Sequence, residues 1–350
     1  MRAAAGERVT ILLCSAGRRP YLVRWFQQAL ACNGVHGRVI VADADPYAAA
    51  GAVADAFVRS PRISEPRYEE WLRGALMRFE VDLALSFNDF ELSTWSEMEP
   101  TPAALLTLGS EQQRVVEDKW AMASAATAAG ISAPPTWIAA EILDGADLER
   151  SGGKRFVVKS RFGSGSVGLR FADLGDVRHT VEAASAAVLN RRGEPVGRGA
   201  EAAEQLVVQA HVEGTEFGVD VLADFDRNYV SSLARRKLGM RDGETEKAAT
   251  ADPLPFTGIG SALCGLTRHR GLIDTDVIVD EHGRPWLIDV NPRFGGGYPF
   301  SHLGGANAPA AVVGWALGRA VDASWIRSDP QIVSSKSVDV VRLGTVRAAP

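Results

Sequence analysis

An α/β fold, with α+β character in its C-terminal part, is predicted by three observations. Apolar strand-like runs alternate with amphipathic helical patterns through the first third of the chain. Paired prolines in "ISAPPTW" then break that alternation. Beyond them short strands dominate, as in antiparallel sheets carrying a few helices. With 350 residues the chain exceeds one ordinary core and suits two or three packed units.

The elements follow in order. "RVTILLCSAG" reads as a buried strand with a glycine turn, and "YLVRWFQQALA" as a helix whose apolar positions are Leu22, Trp25, Phe26 and Leu30. "RVIVADADP" is a second strand, "YEEWLRGALMRF" a helix and "VDLALSF" a third strand. This is the rhythm of an open parallel sheet, whose ligands sit at strand carboxyl ends; Ser15, Gly17, Arg18, Asp43 and Asn88 are expected there. "KWAMASAATAAG" is a helix. "RFVVKS", "GLRFAD" and "QLVVQAHV" are strands with a helical segment near "VRHTVEAASAAVLN", and residues 191–204 are a polar loop. From "EFGVDVLAD" strands dominate up to the helix "APAAVVGWALGRAV", and the tail after residue 326 carries no readable pattern.

Composition narrows the class. Hydrophobic content of 46% and charged content of 23% fit a globular enzyme, and a formal charge of -5 without a basic block argues against a nucleic-acid surface. Three scattered cysteines give neither a disulfide framework nor a zinc knuckle and suit a reducing cytoplasm. No apolar run approaches the roughly 20 residues of a membrane span. The six histidines have no metal spacing.

Four stretches carry chemistry. "VVKSRFGSGSVGL" places Lys159 at a strand end before Gly163, Ser164, Gly165, Ser166, Val167 and Gly168, where small residues let N–H groups converge on an anion; a surface hairpin is the plain alternative. It is not a P-loop, because the lysine precedes the glycines. "VVQAHVEGTEFGVDV" offers main-chain groups of Gln209, Ala210, His211 and Val212 to a base edge and the Glu216 carboxylate to ribose hydroxyls. "DTDVIVDEHGRPWLIDVNPR" reads as a hairpin turning at "DEHG", which brings Asp276 beside Asp289 and Asn291 as hard oxygen donors. Arg235, Arg236, Lys237 and Arg241 crowd one segment, which a solvated strand face also explains.

These motifs, in this order, resemble the ATP-grasp superfamily, most closely its carbamoyl-phosphate-synthetase-like branch. "ILLCSAGRRPYLV" is similar to that branch's N-terminal domain and "VVEDKWAM" to its first ATP lysine, Lys119. "RRKLGMRDGETEKAAT" resembles the active-site loop and "IDVNPR" the metal strand. The resemblance implies an ATP-grasp fold behind a Rossmann-like domain over 1–112. The ATP-grasp domain would cover 113–326, divided into a lid at about 134–208 and a catalytic part at 209–326, with 327–350 unassigned.

By the same resemblance, Lys119, Lys159 with its glycine loop, the hinge and Glu216 bind ATP. Asp276, Asp289 and Asn291 hold two magnesium ions, with manganese as an alternative. Arg293, Arg241 and Lys237 act on the phosphoryl group. Gly295, Gly296 and Gly297 in "FGGGYPFSHLGG" resemble the stretch where amino-acid ligases receive a substrate carboxylate; a glycine hinge is the bland alternative. Asp289 stands where the family more often has glutamate, and Asp276 where it frequently has glutamine or glutamate.

The implied reaction couples a small-molecule carboxylate to an amine, often an amino acid, through an acylphosphate, with ADP and phosphate released. Homodimerisation is compatible with this reading. A single copy of the unit argues against full carbamoyl phosphate synthetase, and a biotin-dependent carboxylase fits poorly. Two other classes are the alternatives: a non-catalytic ATP-binding sensor or scaffold of the same fold, and a dinucleotide oxidoreductase, for which "SAGRRP" replaces GxGxxG.

Overall fold

A computed structural model describes residues 8–163, 168–188, 196–197, 199–241 and 243–343. The N-terminal elements are β1 (Arg8–Cys14), α1 (Pro20–Cys32), β2 (His36–Asp43), β3 (Ala56–Arg59), α2 (Tyr68–Arg78), β4 (Leu83–Ser86), α3 (Asp89–Ser96) and β5 (Ala104–Leu106). Their strands form one parallel sheet in the order β3-β2-β1-β4-β5. The continuous apolar run of β1 follows from burial on both faces. Ile11 and Leu13 point into one core, under Phe26 and Val312, and Leu12 and Cys14 into another, under Leu72 and Trp95. Leu22, Phe26 and Leu30 are buried as expected, whereas Trp25 is half-buried and stacks on His302 with ring centroids 3.8 Å apart.

Two helices, α4 (Ser110–Glu117) and α5 (Lys119–Ala128), lead out of this sheet. Asp118 caps α5 by accepting from the N–H groups of Trp120 and Ala121, so Lys119 is the helix's first residue. An antiparallel sheet follows in the order β6-β9-β7-β8: β6 (Thr136–Ile138), β7 (Arg155–Ser160), β8 (Arg170–Asp173) and β9 (Leu206–Ala210). Helices α6 (Ala139–Leu143), α7 (Val177–Ser185) and α8 (Ala200–Ala203) cover its apolar face through Ile142, Val181 and Ala203.

A second antiparallel sheet runs β14-β13-β10-β11-β12-β15. Its strands are β10 (Thr215–Ala223), β11 (Tyr229–Arg241), β12 (Glu244–Ala251), β13 (Gly271–Val279), β14 (Pro285–Asn291) and β15 (Val333–Ser335), with helices α9 (Thr257–Thr267), α10 (Tyr298–Leu303) and α11 (Ala308–Ala316). Parallel sheet first and antiparallel sheets after is the predicted order.

Several local expectations are corrected. β3 and β5 are short parallel strands that the alternation does not reveal. α9 interrupts a stretch read as strands. Residues 200–203 of the expected loop form a helical turn because Ala202 and Ala203 are fully buried. The tail supplies β15, paired with β12 through Ala248 and Ser334. No helix among the described residues is long and apolar enough to cross a membrane.

Candidate active site

Strand alternation builds the site. On β10, β11, β13 and β14 the residues Glu216, Gly218, Asp220, Arg235, Lys237, Asp274, Asp276, Asp289 and Asn291 share one face. The intervening Val219, Val221, Ala234, Ile273, Val277 and Val290 point the other way, into the core with Leu263 of α9. The hairpin turns where expected. Asp280 N–H donates to Arg284 O (3.1 Å), its Oδ1 accepts from His282 and Arg284 N–H groups, and Gly283 takes φ +78°. This turn sets Asp276 opposite Asp289 and Asp274 opposite Asn291. A bulge after Asp276 re-aims the strand end.

Two lysines lie against the acids. Lys237 Nζ is 2.7 Å from Asp276 Oδ1 and 3.7 Å from Glu216 Oε2. Burial works against its charge, but Asp276 and Glu216 outweigh it and raise the pKa. Lys119 Nζ donates to Gly163 O (2.5 Å) and lies 3.8 Å from Asp289 Oδ1. Asp276, Asp289 and Asn291 thus present two carboxylates and an amide oxygen from neighbouring register positions. That donor set fits a magnesium ion, which takes one or two carboxylates and completes its shell with phosphate and water.

Lys159 ends β7 and donates to Gln209 Oε1 (2.9 Å), while Gln209 Nε2 donates to Thr136 Oγ1 (2.9 Å). Burial pushes the Lys159 pKa down to about 8, against the pull of Asp289. Gln209 thus holds Lys159 through its side chain. The N–H groups of Ala210 and His211 donate to Pro135 O and Arg155 O. Gly163 and Gly168 take φ +99° and +74°, while Ser164, Gly165, Ser166 and Val167 lie outside the described residues.

Two family models match the chain: "PylC-like, N-terminal domain" over residues 11–105 and "ATP-grasp in the biosynthetic pathway with Ter operon" over residues 202–341. The chain belongs to the ATP-grasp superfamily. No curated protein sequence matches it. Solved structures share its fold. The biotin carboxylase domain of Hydrogenobacter thermophilus 2-oxoglutarate carboxylase, in complex with MgADP, ADP and bicarbonate, has a TM-score of 0.70 at 15% identity, over 91% of this chain and 72% of that one. N5-carboxyaminoimidazole synthetase from Staphylococcus aureus gives 0.65 at 13%, over 92% and 81%. L-amino acid ligase from Bacillus licheniformis gives 0.65 at 16%, over 93% and 78%.

At this candidate site some groups are not evident from motif reading. Arg293 Nε and Nη2 donate to the two oxygens of Asp89, each at 2.7 Å, and Nη2 also reaches Asn291 Oδ1 at 3.3 Å. Asp89 opens α3 directly after Asn88, which caps the helix by accepting from Phe90 and Glu91 N–H groups. The strand-end position of Asn88 was the available signal. Burial opposes the charge on Arg293, and Asp89 more than restores it.

Arg235 is the other group the pattern hid. It is only 2% exposed and reaches Asp220 (2.6 Å) and Asp274 (2.5 Å), with Ser301 Oγ donating to Asp220 (2.9 Å). Two of the three consecutive glycines accommodate this cluster. A Cβ on Gly295 would lie 2.0 Å from Asp274 Oδ2, and one on Gly297 2.2 Å from Arg235 Nε. Gly296 faces the Glu244 carboxylate, which Lys336 of the tail holds at 2.8 Å. Arg241 lies at the far end of β11 beside Glu246 (3.4 Å) with its side chain 66% exposed. The structure brings Lys119, Lys237, Asp276, Asp289, Asn291 and Arg293 together and leaves Arg241 on an exposed hairpin.

Proposed function

We propose that the chain is an ATP-dependent carboxylate–amine ligase. The observation that carries this reading is the shared face on which Asp276, Asp289 and Asn291 stand in register, with Lys237, Lys119 and Arg293 around them. Phosphoryl transfer asks for positioning and charge neutralisation rather than a nucleophilic side chain, and this face supplies both.

In this reading Lys119 and Lys159 bind nucleotide phosphates and the segment from Gln209 to Val212 reads adenine, with Glu216 at the ribose. Asp276, Asp289 and Asn291 hold magnesium, which neutralises phosphate charge when bound. Lys237 and Arg293 stabilise the phosphoryl group in flight, and Arg241 joins them when the hairpin folds over the nucleotide. A substrate carboxylate oxygen bonds to the γ-phosphorus as the bond to the bridging oxygen breaks, and ADP leaves. An amine nitrogen then bonds to the acyl carbon, phosphate leaves, and the nitrogen gives up a proton. A substrate carboxylate beside Gly295, Gly296 and Gly297 and a cytoplasmic location belong to the same reading. Support comes from the two matching family models and from a fold shared with an L-amino acid ligase.

Hydroxylamine trapping tests it. With ATP, magnesium and a panel of small carboxylic acids, at least one acid is expected to yield a hydroxamate. No hydroxamate from any acid, with nucleotide bound, would favour a non-catalytic binder.

A further inference from the structure

Glu244 opens β12 beside the three consecutive glycines, and each of its carboxylate oxygens faces a cation from another part of the chain. Oε2 accepts from Lys336 Nζ of the tail at 2.8 Å, and Oε1 lies 4.0 Å from Arg19 Nη2 at the start of α1. A Cβ on Gly296 would come within 3.1 Å of the same carboxylate. The Lys336 hydrogen bond, with Arg19 and Arg18 behind it, holds the Glu244 carboxyl below its usual range in spite of partial burial. The positive end of α1, which begins here without a side-chain cap, adds to this field. Asp43, the acid nearest in the fold to Gly17, is taken up by the N–H groups of Gly17 and Asp45.

This arrangement does not saturate Arg19. Its distance to Glu244 is beyond a hydrogen bond, and its other side-chain neighbours among the described residues are Tyr21 and the Phe87 ring. The planar fork of a guanidinium takes a carboxylate through two parallel N–H bonds. The Arg19 side chain is 20% exposed, so a ligand can reach it. Cations gathered around one protein carboxylate, against a glycine with no side chain, have the chemistry of a carboxylate receptor filled by the protein's own acid. In the ligase reading proposed above, the reacting carboxylate lies at Lys237, Arg293 and the acid face. Gly296 follows Arg293 by three residues, at most about 11 Å of chain, so one short acid can reach both places. We infer that Arg19, Lys336 and Gly296 receive a second carboxylate of the acid substrate, with Glu244 as the stand-in that it displaces, and that the substrate is a small dicarboxylate. The assignment of that carboxylate to a substrate rests on the ligase reading.

Calorimetry on the full chain with MgADP tests this, using the straight-chain dicarboxylates from malonate to adipate, each against its monoamide. At least one dicarboxylate is expected to bind about tenfold more tightly than its monoamide, the effect of one charge-assisted contact. The two halves of the Glu244–Lys336 pair then separate the readings. Glu244→Gln removes the stand-in from a half-exposed position and is expected to tighten dicarboxylate binding about threefold or more. Lys336→Met removes a receptor cation and is expected to weaken it about tenfold. An ion pair with a structural role alone would move both variants the same way. Arg19→Gln, with the same expected loss, decides the matter where thermal denaturation shows that Lys336→Met is unfolded. No preference for any dicarboxylate over its monoamide, or a shift in one direction for both halves of the pair, overturns the assignment. ADP release is read separately. Dicarboxylate preference with opposite shifts, and no ADP formed with any amine, keeps the receptor and removes the ligase reading. ADP formed from monocarboxylates and amines, without dicarboxylate preference, does the reverse.

Discussion

Asp89 and Arg293, 204 residues apart, form a two-pronged ion pair with both bonds at 2.7 Å, which ties the N-terminal sheet's α3 to the segment just after β14. The Asp89 and Arg293 side chains are 19% and 11% exposed, so solvent screens the pair little. The fork holds Arg293 in one orientation next to Asn291.

Asp89→Asn keeps the shape and removes the charge. It is expected to lower unfolding stability by about 1–3 kcal/mol, since hydrogen bonds to charged groups contribute that much. Turnover should fall as well, because Arg293 loses its orientation. Denaturant titration reads the first effect, and unchanged stability would argue that the pair is incidental.

Lys159→Ala is expected to weaken nucleotide binding about tenfold or more, the cost of one charge-assisted contact. The pH dependence follows from the depressed pKa. The unfolded chain keeps this proton up to about pH 10.4, whereas the folded chain loses it near 8. The lysine therefore costs stability below pH 8, and the cost is relieved as pH rises from 8 towards the unfolded value. Phosphate prefers the charged form, so ADP affinity should be flat below pH 8 and fall above it, by up to about tenfold per unit. Calorimetry should show proton uptake on binding above pH 8; affinity independent of pH in that range would contradict this role.

Gly297→Ala places a Cβ 2.2 Å from Arg235 Nε. The chain or the ion cluster must move, and a loss on the order of 2–4 kcal/mol is expected. Gly74→Ala, where a Cβ meets nothing within 4 Å, is the matched control and should be neutral or mildly stabilising. Equal melting temperatures for the two variants would show that the glycines do not accommodate the cluster.

The β13–β14 hairpin was legible because its signal is local. "DEHG" carries turn chemistry, strand alternation does the rest, and Asp276 and Asp289 fall opposite one another as read. Asp89 was illegible because its meaning lies 204 positions away. Arg235 was read with its neighbours as one basic group, yet alternation buries it while Arg236 is exposed. α9 was missed because "TGIGSALCGLT" has three glycines and no polar stripe. At Gly260 a Cβ would strike Ser232 Oγ at 2.5 Å, so a poor helix former is required for the helix to approach the sheet.

Asp289→Asn should fold normally and lose magnesium-dependent turnover, because a neutral amide is a poor replacement for a carboxylate on a divalent ion. Near-native melting with abolished activity is expected. Wild-type rates at ordinary magnesium concentrations would remove Asp289 from the metal set.

We propose that Lys237, Arg293 and the acid face act on the terminal phosphoryl group. Chromatography of the nucleotides formed with a productive acid and amine tests it most directly, since hydroxamate trapping alone does not separate acylphosphate from acyladenylate. ADP and phosphate are expected, in equal amounts with the coupled product. AMP and pyrophosphate as the stoichiometric products would contradict the account.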